Sequence, residues 1–331
     1  MSSYKSILAL ADFSPRSDDA ISRAAGLASE RHAKLVLLTV VDAAATKGLN
    51  QWLPPRVDIE IKVTRAQENL ERLAAKVARA HGVAIESVVS AGDTFEQVRL
   101  HAHASDLIVF GTKRSNPLRD FVFGTPAERL MRMTRCPVLV VKRPAQEGYR
   151  RALVSIDFSV YSEAVLRSAF KLVPRAALHL CHPASTSRAI RLRAAGVPEA
   201  IIENWRERAS AQALERLDAM IQTAELQRAT SSVGHGDESR ITLEAQARVG
   251  ADLIVVGKDA QSAIGEFLLG SIAQRLVSNA QCDVLVIPRV SLPGYQARIG
   301  FSIDRARLAS SPDWPHQSWV NADSRAQEVT T

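Results

Sequence analysis

The sequence predicts an α/β protein of two tandem modules, each an open five-stranded parallel sheet with helices on both faces. Three observations predict it. Short aliphatic runs alternate with longer amphipathic stretches, the pattern of strands buried on both faces and joined by crossover helices. The pattern occurs twice: Asp106-Leu107-Ile108-Val109-Phe110-Gly111 matches Asp252-Leu253-Ile254-Val255-Val256-Gly257, and the run from Cys136 to Val141 matches that from Cys282 to Ile287. The spacing is also constant, since the same 146 residues separate Gly111 from Gly257, Gly124 from Gly270 and Cys136 from Cys282. Asp12-Phe13-Ser14 and Asp157-Phe158-Ser159 fall within one residue of that register, which marks a duplication running from the first strand of each copy to the last.

In the first copy the strands are expected at Ser6 to Ala11, Leu35 to Val41, Ile85 to Val89, Leu107 to Phe110 and Val138 to Val141. Helices are expected near Pro15 to Arg31, Val63 to Ala80, Phe95 to Ala104 and Pro126 to Met133. Ser14 before Pro15 is a good helix start, because the hydroxyl accepts a backbone N–H and proline suits the first helical position. The second copy gives strands at Ala152 to Ile156, Leu178 to Cys181, Thr230 to Val233, Leu253 to Val256 and Val284 to Ile287. Its long helix, Pro198 to Thr223, follows an added basic segment whose Arg188, Arg191 and Arg193 read as a solvated face. The turn formers from Arg143 to Gly148 place a linker at 144–150 between domains at 1–143 and 151–289. The tail, 290–331, is rich in Ser and Pro with little periodicity and is expected to be mobile, although Ile299 to Asp304 echoes the strand at Leu153 to Asp157.

The chain has 331 residues, 46% of them hydrophobic and 23% charged, which is ordinary globular composition and enough for two cores. The net charge of +7 permits an acidic partner such as nucleotide phosphate. Acidic residues are interleaved along most helices, so the excess reads as a solvated surface and nucleic acid is not an expected partner. No apolar run has the length of a signal or a membrane span, and a cytoplasmic location is expected. Three cysteines give neither a disulfide framework nor metal spacing; Cys136 and Cys282 read as small buried residues. His179, His182 and His235 lack a ligand-spaced carboxylate or thiolate, so no metal site is expected.

In an open parallel sheet, ligands bind beyond the carboxyl ends of the strands where the connections diverge. Asp12 falls there after strand one, Val40 at the end of strand two and Gly111 after strand four, with the second-copy counterparts Asp157, Leu180 and Gly257. The loop after each glycine returns to a helix at Gly124-Thr125 and at Gly270-Ser271-Ile272. Glycine lets backbone N–H groups approach a phosphate, and a hydroxyl at a helix start favours an anion. Asp12 could meet a ribose or adenine. The same residues have a reading without ligand, as local caps and helix starts.

These residues resemble the universal stress protein family, specifically its tandem two-domain members, over about residues 4 to 288. The family's signature is a Gly, two residues, a Gly, nine residues, then Gly and Ser or Thr, with Asp-Phe-Ser after strand one and a closing Cys-Pro-Val-Leu-Val-Val. The resemblance implies Rossmann-like, adenine nucleotide alpha hydrolase-like domains. It also implies ATP or a related nucleotide at the strand ends in some members, with Mg²⁺ only alongside ATP. The final strands would pair inside one chain, Val138 to Val141 against Val284 to Ile287, as an internal pseudo-dimer. The second signature glycine is replaced by Arg114 in the first copy and by Ala260 in the second, and Pro126 removes an N–H that Ile272 keeps. The second domain is therefore the better candidate for nucleotide.

Three functions follow as expectations. The first is a non-enzymatic stress-response protein that binds an adenine nucleotide and signals to a protein partner, since no general base, nucleophile or Walker lysine accompanies the cradle. The second is a nucleotide-independent scaffold, for which Arg129, Arg132 and Arg135 offer a surface. The third is slow ATP hydrolysis assisted by Asp12 or Asp157. Further homodimerisation is open.

Overall fold

The computed structural model describes residues 4–42, 55–111, 129–131, 134, 136–145, 147–258 and 271–288, with the backbone alone at 55–58. The described elements run in chain order as β1 Ser6–Leu10, α1 Pro15–Arg31, β2 Lys34–Val41, α2 Pro55–His81, β3 Ile85–Ala91, α3 Thr94–Ala102, β4 Leu107–Gly111 and β5 Val138–Val141. The second copy follows as β6 Arg151–Ser155, α4 Ser162–Leu172, β7 Ala177–Ser185, α5 Ser187–Ala194, α6 Glu199–Thr223, β8 Ala229–Gly236, α7 Glu238–Val249, β9 Leu253–Gly257, α8 Ser271–Asn279 and β10 Asp283–Ile287.

The ten strands among the described residues join one sheet in the order β3-β2-β1-β4-β5-β10-β9-β6-β7-β8. Each half is parallel with the order 3-2-1-4-5, and the halves meet where β10 runs antiparallel to β5, pairing Val284 with Val140 and Val286 with Val138. The expected internal pairing of the closing strands is therefore what the chain does. The central strands are aliphatic without alternation because helices cover both faces; β4, β5, β9 and β10 carry unbroken runs of buried residues.

Helix α1 shows how sequence sets local structure. Ser14 is extended and its hydroxyl accepts the Ser17 N–H, Pro15 opens the helix, and His32 ends it in the left-handed region with its N–H turned back to Ala28 and Ser29. Its buried face is built from Ala20, Ala24, Ala25 and Ala28 with Ile21 and Leu27, small enough to bring the helix close to the sheet. Three elements depart most from expectation. Helix α2 begins at Pro55 rather than Val63, because proline suits a first turn that has no apolar periodicity to betray it. Strands β7 and β8 run on to Ser185 and Gly236, since their ladder continues past the aliphatic stretch that marked them. The extra arginines sit on α5 and reach to α6: Arg193 pairs with Glu199 at 2.8 Å and the Arg188 guanidinium lies 5.1 Å from the Trp205 ring centre. The tail and its strand-like stretch at 299–304 lie outside the described residues.

Contacts across the junction are specific as well as apolar. Lys142 donates to the Ala280 carbonyl at 2.8 Å and Lys258 to the Met131 carbonyl at 3.0 Å, so each half sends a lysine to a carbonyl of the other. Among the described residues no helix is long and apolar enough to cross a membrane.

Three histidines in the second half give the fold a pH dependence. His179 bridges the Thr230 and Ser232 hydroxyls at 2.8 Å each, His182 donates through Nδ1 to the Ile156 carbonyl, and His235 meets Ser210. Burial pushes all three below the ordinary histidine value, helped by Arg248 at His179, Arg216 at His182 and Arg206 at His235. A depressed value means that the unfolded chain binds these protons more readily. The stability they hold is present above about pH 6.5 and is lost as pH falls through that value toward the folded ones. Urea unfolding at pH 7.5 and 5.5 is expected to show the lower stability at 5.5, with the difference reduced in His179→Gln. A chain equally stable at both would overturn this.

Candidate functional site

The carboxyl edge of each half is shaped first by the Asp-Phe-Ser turn. After β1, Asp12 accepts the Ser14 N–H at 2.9 Å and gives its own N–H to the Ser17 hydroxyl at 3.2 Å. After β6, Asp157 accepts the Ser159 N–H at 2.9 Å and the Ser162 hydroxyl at 2.7 Å. Burial works against the Asp157 charge, yet the bonds from Ser162 and Ser159 outweigh it and hold the carboxyl below the usual aspartate range. The residue between, Phe13 or Phe158, takes a φ of +57° or +55°, a left-handed conformation that a bulky side chain adopts only when its surroundings impose it. Both aspartates are thus engaged in the local turn, the role foreseen for them without a ligand.

The glycines ending β4 and β9 are positioned by helices. A Cβ on Gly111 would come within 2.2 Å of the Arg16 carbonyl oxygen, whereas one on Gly257 would meet the Val165 Cγ2 at 3.2 Å. Strand two ends at Val41 as expected in the first half and differently from the sequence expectation in the second. Leu180 pairs with Val154 on one side and Ser231 on the other and is fully buried, so it lines no strand-end site. The ladder explains why: Ala11 donates its N–H to Leu38 and Ile156 donates to Cys181, so the residue matching Val40 is Pro183.

At the second half's edge three helix starts and two strand ends enclose a cleft of about 340 Å³, lined by Ser185, Ser187, Asp237, Ser239, Ser271 and Arg275 among others, with Ile272 also on its wall. Asp237 caps α7 by accepting the Arg240 N–H at 3.0 Å, and it pairs with Arg275 at 2.5 Å. The Ser239 hydroxyl, the Arg240 N–H and Arg275 together hold its carboxyl below the usual range. Such a cleft presents hydroxyls, helix-start N–H groups and the Arg275 guanidinium beside the Asp237 and Glu238 carboxylates, which suits a hydroxyl-bearing ligand whose anionic part lies at the helix starts rather than at the carboxylates.

The structure therefore brings Ser271 and Ile272 to the cleft wall, puts Asp12, Asp157, Val40, Gly111 and Gly257 at strand ends, and removes Leu180. Arg114, Gly124, Thr125, Ala260 and Gly270 lie outside the described residues. Arg275, Asp237, Ser185, Ser187 and Ser239, which line the cleft, were missed. Arg275 was the most accessible of these to sequence reasoning, standing one helical turn after Ser271. Arg129, its counterpart 146 residues earlier, lies over the Phe95 ring at 3.8 Å, while Arg132 and Arg135 fall outside the described residues. Among the described residues no group of three His, Cys, Asp or Glu side chains could hold a metal ion. The three cysteines are buried and unpaired, and burial pushes the thiols of Cys136 and Cys282 up to about 12.

Comparison with known proteins adds the following. The profile of the Universal stress protein family matches twice, at residues 3–142 and 148–288. A universal stress protein of Methanocaldococcus jannaschii is 32% identical over 146 residues, spanning 44% of this chain and 85% of that protein. One from Bacillus subtilis is 27% identical over 148 residues, spanning 42% and 99%. The crystal structure of a universal stress protein from Archaeoglobus fulgidus superimposes with a TM-score of 0.66 over 87% of this chain and 98% of that one, at 18% identity, and so shows a shared fold.

Proposed function

The chain belongs to the universal stress protein family, and from that premise we propose that it is a stress-response protein binding an adenine nucleotide, ATP or a relative, at the carboxyl edge of its sheet. The second half is the principal site, and the bound state is read by a protein partner without turnover. The observation that carries this reading is the cleft where Ser271 and Ile272 at the start of α8 meet Arg275 and the hydroxyls of Ser185, Ser187 and Ser239. These groups recognise phosphate and ribose by charge and hydrogen bonding, and none is placed as a base or nucleophile. Mg²⁺ enters only as the counter-ion of ATP phosphates.

Calorimetric titration of the full chain with ATP is expected to saturate below ~1 mM, and Ser271→Ala to weaken binding about tenfold. No heat with ATP, ADP or AMP up to ~1 mM would overturn the reading. A second reading, a scaffold without nucleotide, is favoured by one observation: Asp12, Asp157 and Gly111 are already engaged in turn formation and helix packing.

A further inference from the structure

The second-half cleft is short of positive charge for a site that takes phosphate. Among its lining residues Asp237 and Glu238 stand against one cation, Arg275. That guanidinium meets the Asp237 carboxylate at 2.5 Å, and the Ser239 hydroxyl and the Arg240 N–H donate to the same carboxylate and help to keep it ionised. Arg240, the next cation along α7, lies beside Gly236, where an added Cβ would stand 3.2 Å from its guanidinium, and its Nε is 3.7 Å from Glu244. The sequence leading into α8 brings no compensating charge. Residues 259–270 hold Asp259 and Glu266 with neither lysine nor arginine, whereas residues 112–124 of the first half hold Lys113, Arg114 and Arg119 against Asp120.

The helix starts on the cleft are unequally available. Asp237 of the chain itself caps α7, and the first N–H of α5, that of Ser187, goes to the Ser185 hydroxyl at 3.3 Å. Helix α8 begins at Ser271 and carries Arg275 one turn later, so its start is the best placed to take a phosphate. The positive end of its dipole is equivalent to about half a charge. The Arg275–Asp237 pair is 57% and 46% exposed, and a pair so exposed is weak enough for a phosphate to share the guanidinium. One phosphoryl group is met in this way. Each further one adds about one negative charge, finds no new cation among the lining residues and faces Asp237 and Glu238. Beside a monophosphate the same carboxylates serve as acceptors for ribose hydroxyls.

We propose that the second-half cleft selects its ligand by phosphate count, taking a nucleoside monophosphate in preference to the triphosphate, with Asp237 and Glu238 as the specificity-determining residues. This deepens the nucleotide reading of the same cleft and rests on it.

The full chain is titrated calorimetrically with AMP and with ATP, without divalent cations so that the phosphate charge is unmasked, and the second-half site is identified as the one weakened by Ser271→Ala. AMP is expected to bind there about tenfold more tightly than ATP. The double variant Asp237→Asn, Glu238→Gln is expected to tighten ATP about tenfold and AMP by no more than about threefold. Asparagine caps a helix as well as aspartate does, and thermal unfolding checks that the variant is folded. Should it not fold, Glu238→Gln alone is expected to narrow the ratio about threefold. ATP binding as tightly as AMP in the unaltered chain, or a folded variant that leaves the ratio of the two unchanged, overturns the proposal. If neither nucleotide binds to the unaltered chain or to the variants, the nucleotide reading fails and the proposal with it, a result distinct from the other two.

Discussion

Replacing Asp283 by alanine is expected to destabilise the chain by about 3 to 5 kcal/mol. Asp283 opens β10, is 1% exposed, and stands where the first half has Pro137. Its carboxylate accepts the N–H groups of Lys142 at 2.8 Å and Arg143 at 3.2 Å and the Tyr149 hydroxyl at 2.6 Å. Arg23 Nε lies 3.4 Å away, close enough for an ion pair though not aligned as a hydrogen bond, and its guanidinium covers the Tyr149 ring at 4.4 Å. One side chain therefore ties together β10, the end of β5, the segment leading into β6, and α1. Burial, followed by the Asp283 charge, pushes the Tyr149 hydroxyl well above the ordinary tyrosine range, so it stays a donor.

Alanine leaves a hydroxyl, two N–H groups and a guanidinium facing a void, and the cost follows from those stranded partners rather than from the worth of the ion pair. Asparagine keeps an acceptor for the two N–H groups and should cost less, about 1 to 2 kcal/mol. Urea unfolding checks both, and a Asp283→Ala chain within about 0.5 kcal/mol of the original would refute the clamp. The loss should be cooperative, since the clamp joins the two halves.

None of this was legible in the sequence, where Asp283 showed only as a mismatch to Pro137 within an otherwise matching repeat. The fold itself was legible because duplication, aliphatic runs and the Ser14-Pro15 helix start are local signals that agree with one another. The strand-two ends were not. The aliphatic run stops at Cys181, so alignment by hydrophobicity puts Leu180 at the edge, whereas the ladder of hydrogen bonds carries β7 on through His182 and Pro183 to Ser185. Polar residues extend a strand when a neighbour pairs with them, and pairing is a tertiary fact. The same holds for the cleft: Ser271 is visible beside a glycine, but its closeness to Arg275, Asp237 and Ser185 depends on three helices starting at one edge.

The two signature glycines should separate sharply under substitution by alanine. At Gly111 the added Cβ would lie 2.2 Å from the Arg16 carbonyl oxygen and 2.7 Å from its carbon, distances that only backbone movement can relieve. Arg16 stands in the first turn of α1, and its guanidinium donates to the Lys142 carbonyl at 2.8 Å, so displacing it strains both the helix start and the end of β5. About 3 kcal/mol of destabilisation is expected, at the upper end of overpacking costs. At Gly257 the nearest atom is a Val165 methyl at 3.2 Å, which can yield by a small rotation, and the cost should stay below about 1 kcal/mol.

Thermal or urea unfolding of the two variants distinguishes them, and equal losses would refute the packing argument. The contrast bears on function. Glycine at 111 is demanded by helix packing and so says nothing about a ligand. Glycine at 257 is under no such demand. If Gly257→Ala keeps its stability but loses nucleotide, the second glycine serves the ligand, in the half that also carries the cleft.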